Sequence, residues 1–184
     1  MALTPSNMLA LGTTAPSFHL PDTTSGKTIS LDDVRGEHGT LVMFICNHCP
    51  YVIYVNEELV RLADDYSGRG IGVVAISSND ATKYPQDGPE KMKIHAEEVG
   101  YPFPYLYDED QAVAKAYDAA CTPDFYVFDA AGKLAYRGRL DDARPGNNAP
   151  LTGKDLRAAL DAVLDGMFPD SKQYPSMGCN IKWK

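Results

Sequence analysis

The sequence predicts an α/β protein, with a central mixed β-sheet and helices on both of its faces. Three observations carry that reading. Two continuous apolar runs, "GTLVMFIC" (39–46) and "IGVVAIS" (71–77), have the composition of strands buried on both sides. Between them Val52, Val55, Leu59, Leu62 and Ala63 recur at three and four, which makes an amphipathic helix of the segment from Pro50 to Tyr66. Later, "DFYVFDAAGKLAYRGRL" (124–140) reads as two strands around the turn Ala130-Ala131-Gly132-Lys133. A short crossover between apolar strands implies parallel pairing, and the hairpin adds antiparallel strands to the same sheet.

The remaining elements follow in order. "PSFHLPDTTSGKTISLDDVRG" reads as a short strand pair closed by Thr24-Ser25-Gly26-Lys27, with Ile29 and Leu31 alternating inward. The 50–66 helix stops at Ser67-Gly68-Arg69-Gly70. "GPEKMKIHAEEVG" (88–100) is a polar-faced helix ended by Gly100, "YPFPYLYD" a short third strand of the parallel set, and "EDQAVAKAYDA" a short helix. "TGKDLRAALDAVLDG" (152–166) closes the core with an apolar stripe at Leu156, Leu160, Val163 and Leu164. With no repeat, low-complexity tract or linker, residues 1–184 read as one domain, its core at about 10–166, with a C-terminal extension over 167–184.

A chain of 184 residues with 44% hydrophobic content can bury one sizeable core without cross-links. The net charge of −8 argues against nonspecific nucleic-acid binding, and no apolar run approaches the ~20 residues of a membrane span. Met1 to Gly12 lacks the positive region of a signal peptide, so the expected compartment is the cytoplasm. Four cysteines are too few for a disulfide scaffold; in a reducing compartment such thiols do chemistry or bind metal. His19, His38 and His95 sit in polar contexts and read as surface residues, and Asp32-Asp33, Glu57-Glu58 and Asp64-Asp65 read as solvated charge. "GRGIGVV" precedes a strand instead of following one, and "DEDQ" (108–111) lacks calcium-ligand spacing, so neither a phosphate loop nor a calcium loop is expected.

The chemistry concentrates in "FICNHCPY" (44–51). A thiolate is the reactive form of cysteine, and a helix N-terminus favours it through free N–H groups and the helix dipole. Proline is favoured at the first helical position, so Pro50 makes Cys49 the residue at the cap. Cys46 falls in the strand-to-helix turn, within reach of Cys49. His48 either assists Cys49, as a cation or as a proton shuttle, or is an exposed turn residue.

The strand feeding a cysteine-bearing helix, the later Thr-Pro and the hairpin resemble the thioredoxin fold. More closely, "APSFHLPDTTSGKTISLDDVRG", "TLVMFICNHCPYV" and "CTPDFYVFDAAGKLAYRGRLDD" resemble the peroxiredoxin-like alkyl hydroperoxide reductase and thiol-specific antioxidant family. The resemblance implies an oxidoreductase acting on protein or small-molecule disulfides and thiols, without an organic cofactor or metal. In the family's register Cys49 matches the nucleophile and Val52 stands where its usual partner would be, leaving Cys46 as partner one turn upstream; the rival order makes Cys46 the nucleophile and Cys49 the resolving thiol. The resemblance also implies a cis Thr122-Pro123 bond facing the nucleophile, with Thr122 presenting backbone to substrates. Cys121 is expected on the same rim, and Cys179 either as a further redox thiol, a clasp with Cys121 or a surface thiol.

Departures from the family qualify the activity. Val42 and Cys46 stand where a peroxidase carries proline and threonine, and Pro123 where it carries arginine, so rapid peroxide reduction is not expected; the buried acid of thioredoxins is replaced by Met43. Two alternatives stay open: a slow thiol peroxidase, and a metal-binding or protein-assembly module using Cys46, Cys49 and two of Cys121, Cys179 and His48. A single C-x-x-C falls short of the paired knuckles usual for structural zinc.

Overall fold

In the computed structural model, described here over residues 3–184, the elements run β1 (Leu3–Pro5), β2 (His19–Pro21), β3 (Thr28–Ser30), α1 (Leu31–Val34), β4 (Gly39–Phe44), α2 (Pro50–Ser67) and β5 (Ile71–Ser77). A 3-10 turn at Pro85–Asp87 leads into α3 (Pro89–Val99), β6 (Tyr105–Tyr107), α4 (Ala112–Ala116) and β7 (Cys121–Thr122). The hairpin β8 (Asp124–Asp129) and β9 (Leu134–Gly138), then α5 (Lys154–Leu164) and β10 (Met177–Asn180), complete the chain.

The central sheet has the order β6-β5-β4-β8-β9, parallel across β6, β5 and β4 and antiparallel from β4 onward. Every residue of β4 is buried, as its unbroken apolar run requires of a strand covered on both faces. Alternate side chains supply two cores: Leu41 and Met43 pack under α2, α3 and α5, while Val42 and Phe44 meet α1 and α4 on the opposite side. Gly100, in the left-handed conformation at φ 80°, terminates α3. No helix among the described residues is long and apolar enough to cross a membrane.

Several sequence expectations need correction. Ile29 ends half-buried in β3, but Leu31 begins α1 instead of continuing the strand, because Ser30 and Asp33 form a reciprocal capping box. Glu58 is buried, not solvated: it lies on the α2 face turned toward α5, where Arg61 and Arg157 donate hydrogen bonds to it at 2.9 and 2.8 Å. His95 is half-buried against Tyr101, with ring centroids 5.7 Å apart. The C-terminal extension is also structured. Its strand β10 sits between β1 and β7 in a second sheet, with Cys179 level with Thr122.

Candidate active site

Cys49 is the N-cap of α2 and Pro50 its first residue, so the chain turns from strand into helix at the sulfur. The Cys49 carbonyl takes the N–H groups of Val52 and Ile53, both at 3.0 Å. The opposite wall is the Thr122-Pro123 segment, whose peptide bond is cis. Thr122 contacts both cysteines of the motif: its carbonyl accepts from the Cys49 thiol at 3.3 Å, and its hydroxyl meets the Cys46 sulfur at 3.4 Å. The strand register adds Cys179 on the same face, because directly opposed residues of an antiparallel pair project together.

The two motif thiols differ electrostatically. A hydrogen bond from Cys46 is the main influence lowering the Cys49 pKa, which falls to about 5; burial opposes it, and the Cys179 thiol and backbone N–H and the nearby Val52 N–H reinforce it. The Thr122 carbonyl, which accepts from the Cys49 thiol, opposes this lowering. Cys46 moves the other way, pushed well up first by its hydrogen bond to Cys49, then by burial and by the charge of Asp87. Cys179 is raised to about 12 by burial and by its hydrogen bond to Cys49.

His48 is half-buried, not exposed. It stacks on Tyr84 with centroids 5.6 Å apart, and its Nδ1 approaches Asp87 Oδ2 at 2.6 Å. That approach is misaligned for a hydrogen bond, and among the described residues neither ring nitrogen has another partner. Asp87 itself is fully buried and accepts from the Asn47 N–H at 2.9 Å and Asn79 Nδ2 at 2.8 Å. Nothing local marks Asp87 or Asn79 in the sequence; Asp87 reaches the site through the 3-10 turn, forty residues beyond the Asn47 it contacts, and Asn79 from the loop after β5. Met43, at the sequence position of the usual buried acid, packs in the core, and Asp87 is the carboxylate that approaches the cysteine motif instead.

Cys121 is fully buried, not rim-exposed, and burial raises its pKa. It pairs in register with Asn180, one residue from Cys179, so a Cys121–Cys179 clasp would join opposite faces of neighbouring strands. No disulfide joins any of the four cysteines. Donor atoms of Cys46, His48 and Asp87 lie within 4.8 Å of one another, the spacing of a three-ligand metal set, and Asp87 there also accepts from Asn47 and Asn79.

Residues 11–137 match the AhpC/TSA family, and the chain belongs to that family. A thiol-disulfide oxidoreductase, ResA of Geobacillus thermodenitrificans, is 30% identical over 134 residues, 71% of this chain and 70% of the relative. A conserved protein of Geobacillus kaustophilus, known by its crystal structure, is 59% identical and superposes with a TM-score of 0.98, covering 100% of this chain and 97% of that one. The likeness therefore includes the C-terminal strand. The thioredoxin domain of a thiol-disulfide oxidoreductase from Bacteroides vulgatus, 22% identical with a TM-score of 0.60 over 74% of this chain and 90% of its own, shares the thioredoxin-like fold.

Proposed function

We propose that this protein is a thiol–disulfide oxidoreductase in which Cys49 attacks a disulfide of a protein or small-molecule substrate. The Cys49 sulfur displaces one substrate thiolate and forms a mixed disulfide; the Cys46 sulfur then attacks Cys49, releases the second substrate thiol and leaves a Cys46–Cys49 bond. The observation that carries this reading is the placement of Cys49 at the helix cap with Thr122 touching both motif sulfurs, its carbonyl at Cys49 and its hydroxyl at Cys46, in surroundings that lower the Cys49 pKa and raise that of Cys46. The oxidoreductase name of the 30%-identical relative supports the same reaction class.

A peroxidase reading is less well supported. Val42 packs into the core on the face of the sheet opposite Cys49, and Pro123 offers no cation to polarise a peroxide. Limited alkylation of the reduced protein at neutral pH should label Cys49 before Cys46. Cys49→Ser should abolish reduction of a small aromatic disulfide. Preferential labelling of Cys46, with turnover retained in Cys49→Ser, would reverse the assigned roles.

A further inference from the structure

Cys49 is 0% exposed and Thr122 only 2% exposed, so the proposed nucleophile and its opposite wall are both covered. Part of the cover is the chain's own C-terminus. Strand β10 pairs antiparallel with β7, Cys179 opposite Thr122, in the arrangement by which an extended peptide adds to an exposed strand. The fit is close: a Cβ on Gly178 would come within 1.9 Å of the Thr122 carbonyl oxygen, so glycine lets β10 lie directly on that backbone. On the other side β1 pairs with β10 through Leu3↔Cys179, which holds the strand in place. The next residue after this glycine, Cys179, lies opposite the Thr122 that touches the Cys49 sulfur and shares a core cluster with Cys49, close enough for its thiol and backbone N–H to lower the Cys49 pKa.

We propose that Cys179 is a second resolving thiol for Cys49, carried on a strand that occupies the position where an extended substrate would pair with Thr122. The inference rests on Cys49 being the attacking sulfur. Cys49 then stands between two thiols, Cys46 from its own turn and Cys179 from the C-terminal strand. The step balances with the substrate disulfide as the only oxidant. Cys49–S⁻ breaks the substrate S–S bond and releases one thiolate; the Cys179 sulfur, giving up its proton, attacks the Cys49 sulfur and releases the second substrate thiol. The products are two substrate thiols and a Cys49–Cys179 disulfide, which fixes β10 across Thr122 until a thiol reductant reopens it. Forming the mixed disulfide also removes the Cys49 charge and the hydrogen bond to it, two of the influences that hold the Cys179 proton in place.

The test uses the full chain, reacted with excess 5,5′-dithiobis(2-nitrobenzoate), acid-quenched and digested with trypsin. With no Lys or Arg between Gly36 and Val60, Cys46 and Cys49 share one peptide, whereas Cys179 lies on another, after Lys172. A Cys46–Cys49 bond therefore stays within a peptide and a Cys49–Cys179 bond joins two. In Cys46→Ser the expected main product is the joined pair of peptides, with the loss of two hydrogens. In Cys46→Ser/Cys179→Ser the expected product is an aryl mixed disulfide retained on Cys49. The wild-type protein should give both bonds, which keeps the test valid if the double variant folds poorly. A mixed disulfide that persists on Cys49 in Cys46→Ser while Cys179 remains alkylatable would overturn the role of Cys179 and leave Cys49 as nucleophile. A Cys49 that never reacts would overturn both.

Discussion

Cys46 and Cys49 lie within one turn of chain, yet their surroundings push them in opposite directions. Cys49 gathers donors from Cys46, Cys179 and the start of α2; Cys46 is pushed up by its hydrogen bond to Cys49, by burial and by the charge of Asp87. The depressed Cys49 pKa means that thiolate is present above the folded-state value and is lost as pH falls through it. Alkylation at Cys49 should accordingly rise to a plateau with a midpoint at about pH 5. Cys46→Ala, which deletes the largest favourable donor, should move that midpoint upward; an unmoved profile would mean that Cys46 does not set the Cys49 titration. Asp87 tests the neighbouring shell. It takes the Asn47 N–H and the Asn79 amide and has the His48 imidazole beside it, so Asp87→Ala strands one buried and one part-buried donor. The expected loss in chemical denaturation is on the order of 2 kcal/mol or more, since each unsatisfied buried donor costs about 1–3 kcal/mol.

The elements that surround this site differed in how plainly their residues announced them. The β4 and β5 runs, the helical spacing of α2 and the turn between β8 and β9 each follow from one local period, and the structure has all three. Pro50 likewise marks the start of α2, which puts Cys49 at its cap. The strand β10 could not be read this way. "MGCN" has neither alternation nor length, and it becomes a strand only because β1, near the opposite end of the chain, and β7, well upstream of it, offer it edges. The burial of Glu58 is hidden in the sequence for a related reason: its partner Arg157 lies on α5, a pairing that no local pattern announces. Gly178 gives the element-scale prediction. Gly178→Val places a side chain against the Thr122 carbonyl and should pry β10 from β7. Alkylation of Cys49 should then speed up markedly while the melting temperature falls; slower or unchanged alkylation in a folded variant would show that β10 does not cover the thiol.

At the scale of the whole molecule, the sheet sets what the site costs in stability. Asp124, directly after Pro123 on the central strand β8, is completely buried, and burial raises its pKa to about 7 despite hydrogen bonds from Ser6, Tyr126 and the Phe125 N–H. The acid in "CTPDF" looked unremarkable in sequence because its burial is a product of the finished sheet. The sign of its effect is fixed. The folded state holds the proton more tightly than the unfolded chain, whose reference value is 3.8, so Asp124 contributes stability that is fully present below that value. The contribution is lost as pH rises through about 7. The full span corresponds to roughly 4 kcal/mol at about 1.4 kcal/mol per pKa unit. Burial lowers the pKa of His95 and so acts in the opposite sense, raising stability as pH passes the ordinary imidazole range. Only a difference between proteins isolates the carboxyl. Urea unfolding of the wild type and of Asp124→Asn across pH 5 to 8 should show the wild type losing stability relative to the variant as pH rises. Parallel curves would mean that Asp124 is ionised throughout and that its hydrogen bonds outweigh its burial.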